Sequence, residues 1–168
     1  RVFKSLPVEQ LSEAVSIGLR TGFGSPHLRI GPVKLFADGA LGPQTAAMLA
    51  PFEGSADNYG KLLLSADEIF ETGVRAAKSS LSLAVHAIGD RATHEALEGL
   101  ARLREYEKQN QLPVLRHRIE HMQLLSPQNL SKASQYHICA SMQPVHLYMD
   151  MRTADRHWGK RSRYAYAL

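Results

Sequence analysis

The chain has 168 residues and a formal net charge of +4, with 44% hydrophobic and 21% charged residues. This length suits one domain with a sizeable core but falls well short of the ~250 residues of a complete eightfold β/α barrel. The composition argues against disorder, and no apolar run reaches the ~18 residues of a membrane span, so we expect a single domain over residues 1–168 with no membrane partner.

Strand-like runs alternate with helix-like stretches along the chain. The strand-like runs cover residues 1–6, 32–37, 81–88, 114–121 and 137–143. Between them, apolar residues recur at three- and four-residue spacing, which is typical of helices packed on a sheet. This alternation predicts an α/β fold with a parallel sheet, in which functional groups collect at the carboxyl ends of the strands.

Several helix starts carry recognisable signals. Residues 7–10 open one helix, Ser65 and Glu68 have capping-box spacing, Asp90 precedes another helix, and residues 126–127 combine a serine cap with proline at the first helical position. Residues 38–64 do not fit the alternation, since they are rich in glycine and proline and longer than most connections. We interpret this stretch as an active-site loop.

Lys34, His86 and His121 each stand in or at the end of a separate strand-like run. A buried lysine is costly when charged, so Lys34 needs a partner, an exit to solvent or a modification such as carboxylation, whose carbamate can bridge two cations. Each residue taken alone is more often structural than functional. Their shared position at the strand ends of one β/α series favours a metal site.

The run before His121 predicts a face with two imidazoles. Alternation over residues 115–121 places His117, Ile119 and His121 on one face and Arg118 and Glu120 on the other. Neutral imidazole suits Zn²⁺, and its second nitrogen needs a carboxylate or carbonyl partner.

Other polar residues are candidates for supporting roles. Asp38, Asp90 and Glu120 could orient the ligands, although each could equally be a helix cap or part of a structural ion pair. Gln143 and His146 close the last strand-like run, where they could contact a substrate, and a surface-loop position is the competing interpretation of His146.

The C-terminal third holds the single cysteine and a basic cluster. Cys139 excludes an intrachain disulfide, and its strand-like setting predicts a buried thiol and fits a reducing, cytoplasmic location. No aromatic platform accompanies the basic residues, so a solvated helix face is favoured over nucleic-acid binding. The cluster comprises Arg152, Arg156, Lys160, Arg161 and Arg163.

Four segments, residues 33–42, 85–92, 118–121 and 141–144, resemble the amidohydrolase superfamily. More narrowly, they resemble its third amidohydrolase family, which includes N-substituted formamide deformylase-like hydrolases. The resemblance implies a partial TIM-type barrel, about strands 3 to 7, and hydrolysis of C–N bonds in amide-like small molecules by metal-activated water. It also implies that Lys34, His86 and His121 are the ligands of one or two divalent ions, with zinc as the leading choice.

The chain departs from this family pattern in two places. The family's His-x-His pair and its aspartate, the expected general base, are not found, so we expect both to lie outside this chain. The chain alone would then be inactive and could lack bound metal. An open half-barrel predicts self-association through its edges or inner face. The alternatives are a degenerate structural or regulatory domain without metal and, less favoured, a nucleic-acid binder.

Overall fold

A computed structural model describes residues 1–166 and contains one all-parallel sheet of five strands. The strands lie side by side in chain order, with β1 and β5 at the two edges. This arrangement confirms the predicted α/β class. The strands are β1 (Val2–Pro7), β2 (Leu28–Phe36), β3 (Leu83–Ala87), β4 (Arg118–His121) and β5 (Cys139–Ser141).

Helices follow or connect the strands. The predicted capping box is confirmed: Glu68 N donates to Ser65 Oγ, and Ser65 N donates to Glu68 Oε2 across 2.8 Å. Asp90 is the first residue of its helix, and Gly89 occupies the N-cap. The α-helices are α1 (Leu11–Ser16), α2 (Ala66–Ala77), α3 (Asp90–Gln109), α4 (Leu130–Gln135) and α5 (Val145–Trp158), and three 3₁₀ helices cover Val8–Gln10, Pro127–Asn129 and Gly159–Tyr164.

The main core lies between one face of the sheet and helices α2 and α3. Strand residues such as Leu35, Val85 and Ile119 are fully buried there, with Leu97 and Leu100 of α3 in the same apolar cluster. Burying each such side chain contributes roughly 1.5–3 kcal/mol before entropy costs. Because side chains alternate along a strand, the remaining strand residues point to the opposite, open face of the sheet.

Two sequence predictions about buried side chains were wrong. β4 begins only at Arg118, and His117 is fully buried beside α3, with Nδ1 accepting a hydrogen bond from Leu83 N at 3.0 Å. Its face therefore does not present two imidazoles to a site. Cys139 is exposed, because it lies on a three-residue edge strand beside the short helix α4.

Residues 37–65 join β2 to α2 without forming a helix or strand of their own. Asp38 organises this loop, since its buried carboxylate accepts hydrogen bonds from Ala47 N at 2.9 Å, Ile88 N at 3.0 Å and Gly89 N at 2.8 Å. The loop thereby packs against the turn between β3 and α3, which begins two residues after His86. Within residues 1–166, no helix has both the length and the apolarity to cross a membrane.

Candidate functional site

The open face of the sheet carries polar residues from three adjacent strands. Strand register places Phe36 of β2 opposite His86 of β3, and His86 opposite Glu120 of β4. Lys34 lies two residues before Phe36 on the same face, with its Nζ 4.9 Å from the centre of the Phe36 ring. The parallel sheet therefore gathers a lysine, a histidine and a carboxylate at one end.

His121 reaches this face through a change in backbone conformation. Alternation after Ile119 would send His121 toward the helix-covered side, but His121 and Met122 have φ angles of 70° and 46°, in the left-handed region. Such angles cost of order 1–3 kcal/mol for each non-glycine residue and are concentrated at functional sites. The His121 ring consequently lies with its centre 4.8 Å from that of His86.

His146 extends the row of imidazoles to three. It lies in the first turn of α5, half-buried, with its ring centre 5.5 Å from that of His121. Its Nδ1 is 3.1 Å from Asp150 Oδ2, one helical turn further along. His146 is therefore a helix residue beside the site and does not lie in a surface loop, which was the competing interpretation of the sequence.

Hydrogen bonds define which ring nitrogens are available for a ligand. His86 Nε2 lies 2.8 Å from the Gly39 carbonyl oxygen, which can only accept, so Nε2 carries the hydrogen and Nδ1 has a free lone pair. The Asp38 carboxylate lies 3.6 Å from the same Nε2. His121 Nδ1 is buried and has no hydrogen-bond partner among residues 1–166.

Burial favours the neutral forms of Lys34, His86 and His121. It lowers the pKa of His121 to about 4, with smaller contributions from the nearby His86 and His146. Burial likewise lowers the pKa of His86 and that of Lys34, although Glu120 opposes the shift at Lys34. Neutral imidazole is the form that binds a metal ion.

The donor set fits part of a metal centre. Two imidazoles that share a Zn²⁺ ion at ~2.1 Å have ring centres about 5 Å apart, which matches the pair His86 and His121. Lys34 has no lone pair as an ammonium, so it could join them only as a neutral amine or as an anionic carbamate. Within residues 1–166, no three His, Cys, Asp or Glu side chains are grouped so that they could hold a metal ion together.

The three predicted supporting carboxylates have different surroundings. Asp38 contacts His86 as described, and burial raises its pKa to about 6 against the opposing effect of its three backbone amide donors. Asp90 Oδ1 instead accepts from Leu49 N at 2.8 Å and from Arg91 N, which ties the loop to α3. Glu120 forms an ion pair with Arg118 on the open face.

A small pocket adjoins His121 and includes two residues that sequence reasoning missed, Gln123 and Tyr166. Gln123 Nε2 donates to the Tyr166 hydroxyl oxygen across 2.7 Å. These residues are 43 positions apart, and no local pattern links them. The pocket is lined by His121, Gln123, Met142, Gln143, Pro144, His146 and Tyr166.

Comparisons with known proteins place the chain in a family. Residues 2–167 match the family model described as "Amidohydrolase family". The chain is 33% identical over 157 residues to "Protein LONG AFTER FAR-RED 3" of Arabidopsis thaliana, covering 91% of the chain and 26% of that protein. It is 29% identical over 119 residues to "Putative amidohydrolase YtcJ" of Bacillus subtilis, covering 71% of the chain and 21% of that protein.

Two solved structures share the fold over essentially the whole chain. An uncharacterised metal-dependent hydrolase from Pyrococcus furiosus superposes with a TM-score of 0.87 at 33% identity, covering 100% of this chain and 34% of that one. Another from Pyrococcus horikoshii OT3 gives 0.85 at 30% identity, covering 99% of this chain and 32% of that one. The chain thus spans about a third of these hydrolases and about a quarter of the curated relatives.

Proposed function

The chain belongs to the amidohydrolase family, and on that premise we propose that it forms part of an enzyme that hydrolyses C–N bonds of amide-like small molecules with a divalent metal ion, zinc by preference. The observation that carries the proposal is the pair His86 and His121, two neutral imidazoles in contact at the strand ends. The similarity of the chain's fold to those of two metal-dependent hydrolases also supports the proposal.

We propose that His86 through Nδ1, His121 and a carboxylated Lys34 hold the ion. A divalent cation supplies, when bound, a Lewis acid that polarises a carbonyl and lowers the pKa of water. The chain's own contribution is orientation: the Gly39 carbonyl fixes the His86 ring, and Asp38 secures the turn that follows it. Such supporting hydrogen bonds typically change metal affinity or activity by 10–100-fold.

The proton acceptor is proposed to lie outside this chain. Glu120 is paired with Arg118, and all three backbone hydrogen bonds of Asp38 serve to anchor the loop. Since the chain covers about a third of the hydrolases that it matches, we propose that it is inactive alone. Gln143 and His146, which line the pocket next to His121, are the proposed substrate contacts.

The test is metal analysis and amide hydrolysis by the full-length protein. His86→Ala and His121→Ala should each lower the bound metal and the hydrolysis rate by tenfold or more. His27→Ala, at an exposed position next to the amino end of β2 and so at the opposite end of the sheet, is the matched control and should change neither. A full-length protein that binds no divalent metal and hydrolyses no amide would overturn the proposal.

A second candidate is a non-catalytic regulatory domain. It is favoured by a 32% identity over 115 residues to "Exoenzymes regulatory protein AepA" of Pectobacterium carotovorum subsp. carotovorum. The same metal analysis separates the two candidates, because the regulatory domain would purify without metal.

A further inference from the structure

A crevice of about 260 Å³ lies on the helix-covered side of the sheet, away from the site around His121. Residues of α2, α3 and the end of α4 line it. The α3 residues follow one another at spacings of mainly three and four, so they share one face of that helix over three turns. This α3 face consists of Glu98, Ala101, Arg102, Glu105, Tyr106 and Gln109.

Aromatic rings and an arginine form much of the crevice wall. The half-buried rings of Phe70 and Tyr106 meet edge to face with their centres 6.1 Å apart. The Arg102 guanidinium lies 4.6 Å from the centre of the Phe70 ring. Because aromatic residues and arginine are enriched in protein–protein interfaces, this composition fits a contact with another protein surface.

The charges on the α3 face are only partly paired. Arg102 pairs with Asp67 through a single Nη atom, and its side chain keeps 46% of its surface exposed. Glu105 is exposed and forms no ion pair with any of the residues 1–166 that the structure describes. Since a guanidinium has five N–H donors, Arg102 can bind a second carboxylate while it keeps Asp67.

The α3 face is complementary in charge to a second copy of itself. A two-fold axis that crosses α3 midway between positions 103 and 104 relates two antiparallel copies of the helix, and residues equally distant from that midpoint then lie opposite each other. Arg102 of each copy is thereby brought opposite Glu105 of the other. One symmetric contact forms two ion pairs and gives the unpaired Glu105 carboxylate a partner.

The shape of the α3 face follows the same symmetry. Tyr106 of each copy lies opposite Ala101 of the other, and the small alanine side chain leaves room for the phenol ring between helices that pack 8–10 Å apart. At the two ends of the contact, the Glu98 carboxylate lies opposite the Gln109 amide. No two like charges of the face are opposed in this arrangement.

We propose that two copies of the protein associate through this α3 face, with their α3 helices antiparallel about a two-fold axis. The contact lies on the helix-covered side of the sheet, so it leaves the open face with His86 and His121 free. It is independent of the proposed hydrolysis. Three helical turns form a smaller contact than the standard ~800 Å² per partner, so we expect a dissociation constant in the micromolar range.

The test is sedimentation velocity of the full-length protein over a micromolar concentration series. The wild type should pass from monomer to dimer as the concentration rises. Glu105→Arg and Arg102→Glu should each weaken this dimer by tenfold or more, because each variant opposes like charges at both symmetry-related contacts. A wild type that stays monomeric throughout would overturn the proposal.

A mixing experiment assigns the dimer to the α3 face. Glu105→Arg makes the centre of the face positive and Arg102→Glu makes it negative, so an equimolar mixture should form heterodimers although neither variant dimerises alone. Glu71→Arg and Arg91→Glu, exposed and outside the crevice, are the matched controls and should dimerise like the wild type. Thermal melting verifies that every variant folds. Dimers that persist in both single variants, or a mixture that stays monomeric, would refute this interface.

Discussion

His117 and Glu107 form a buried hydrogen bond, with His117 Nε2 lying 2.8 Å from Glu107 Oε1 and both side chains almost wholly enclosed. Leu83 N donates to the other ring nitrogen, so His117 is the neutral tautomer and donates through Nε2. Glu107 also pairs with Arg104 on the same helix. The pair therefore joins α3 to β3 and to the start of β4.

Removing the Glu107 carboxylate should strongly destabilise the fold. Glu107→Ala leaves a buried imidazole N–H and the Arg104 charge without their partner, so we expect a loss of about 3–5 kcal/mol in the free energy of unfolding, measured with urea. Glu105→Ala, at an exposed position on the same helix, is the control and should cost under ~1 kcal/mol. A loss below ~1 kcal/mol in Glu107→Ala would contradict a structural role for the pair.

Gly89 is needed where the loop of residues 37–65 meets α3. A Cβ atom at Gly89 would lie 2.0 Å from the backbone oxygen of Ala47, a contact that only backbone movement can relieve. We expect Gly89→Ala to lose about 1–3 kcal/mol of stability or more. Gly42→Ala is the matched control, since nothing lies within 4 Å of its Cβ position, and it should stay within ~0.5 kcal/mol of the wild type.

The proposed carboxylation of Lys34 can be tested by side-chain replacement. A glutamate at this position keeps an anionic oxygen ligand, whereas a methionine offers none of comparable hardness. Lys34→Glu should therefore retain part of the metal in the full-length protein, and Lys34→Met should lose tenfold or more in metal affinity. Lys78→Met, exposed at the end of α2, is the control. Equal metal content in the glutamate and methionine variants would argue against a carbamate ligand.

The raised pKa of Tyr166 predicts that the folded protein loses stability at alkaline pH. Its pKa is raised from 10.0 to about 12 in the folded state, so between these values the unfolded chain releases a proton that the folded chain retains. Stability from this group is thus fully present below pH 10 and is lost as the pH rises toward 12. Urea unfolding across this range should show a steeper decline for the wild type than for Tyr166→Phe, with Tyr148→Phe as control. Parallel curves would contradict the prediction.

We propose that the isolated 168-residue chain self-associates. Its sheet has two edge strands, and large apolar side chains are exposed on or beside the strands, including Val2, Phe3, Leu28 and Phe36. Sedimentation velocity should show dimers or larger species, and Phe36→Lys should shift them toward monomer. Leu63→Lys, at an exposed loop position, is the control. A concentration-independent monomer would contradict the proposal.

Much of the fold and part of the site follow from the sequence. The switch between two- and 3.6-residue periods indicates the strands and helices, and the carboxyl ends of parallel strands bring Lys34 and His86 to one edge. His121 lies at a strand end as predicted, but the prediction that it shares a face with Ile119 was wrong. The left-handed backbone that turns its ring is not required by the residue types of His121 and Met122. The hydrogen bond of His117 to Glu107 and that of Gln123 to Tyr166 join segments that are brought together only by tertiary packing. A local sequence pattern therefore cannot predict them.

The Asp38 carboxylate has a further consequence for motion at the site. It accepts hydrogen bonds from Ala47 in the long loop and from Ile88 and Gly89 in the turn after β3, so one side chain holds the two segments together. A swing of the loop away from the sheet would have to release hydrogen bonds that begin two residues beyond His86. Because the loop carbonyl of Gly39 also accepts a hydrogen bond from His86 Nε2, movement of the loop and the orientation of the His86 ring are coupled.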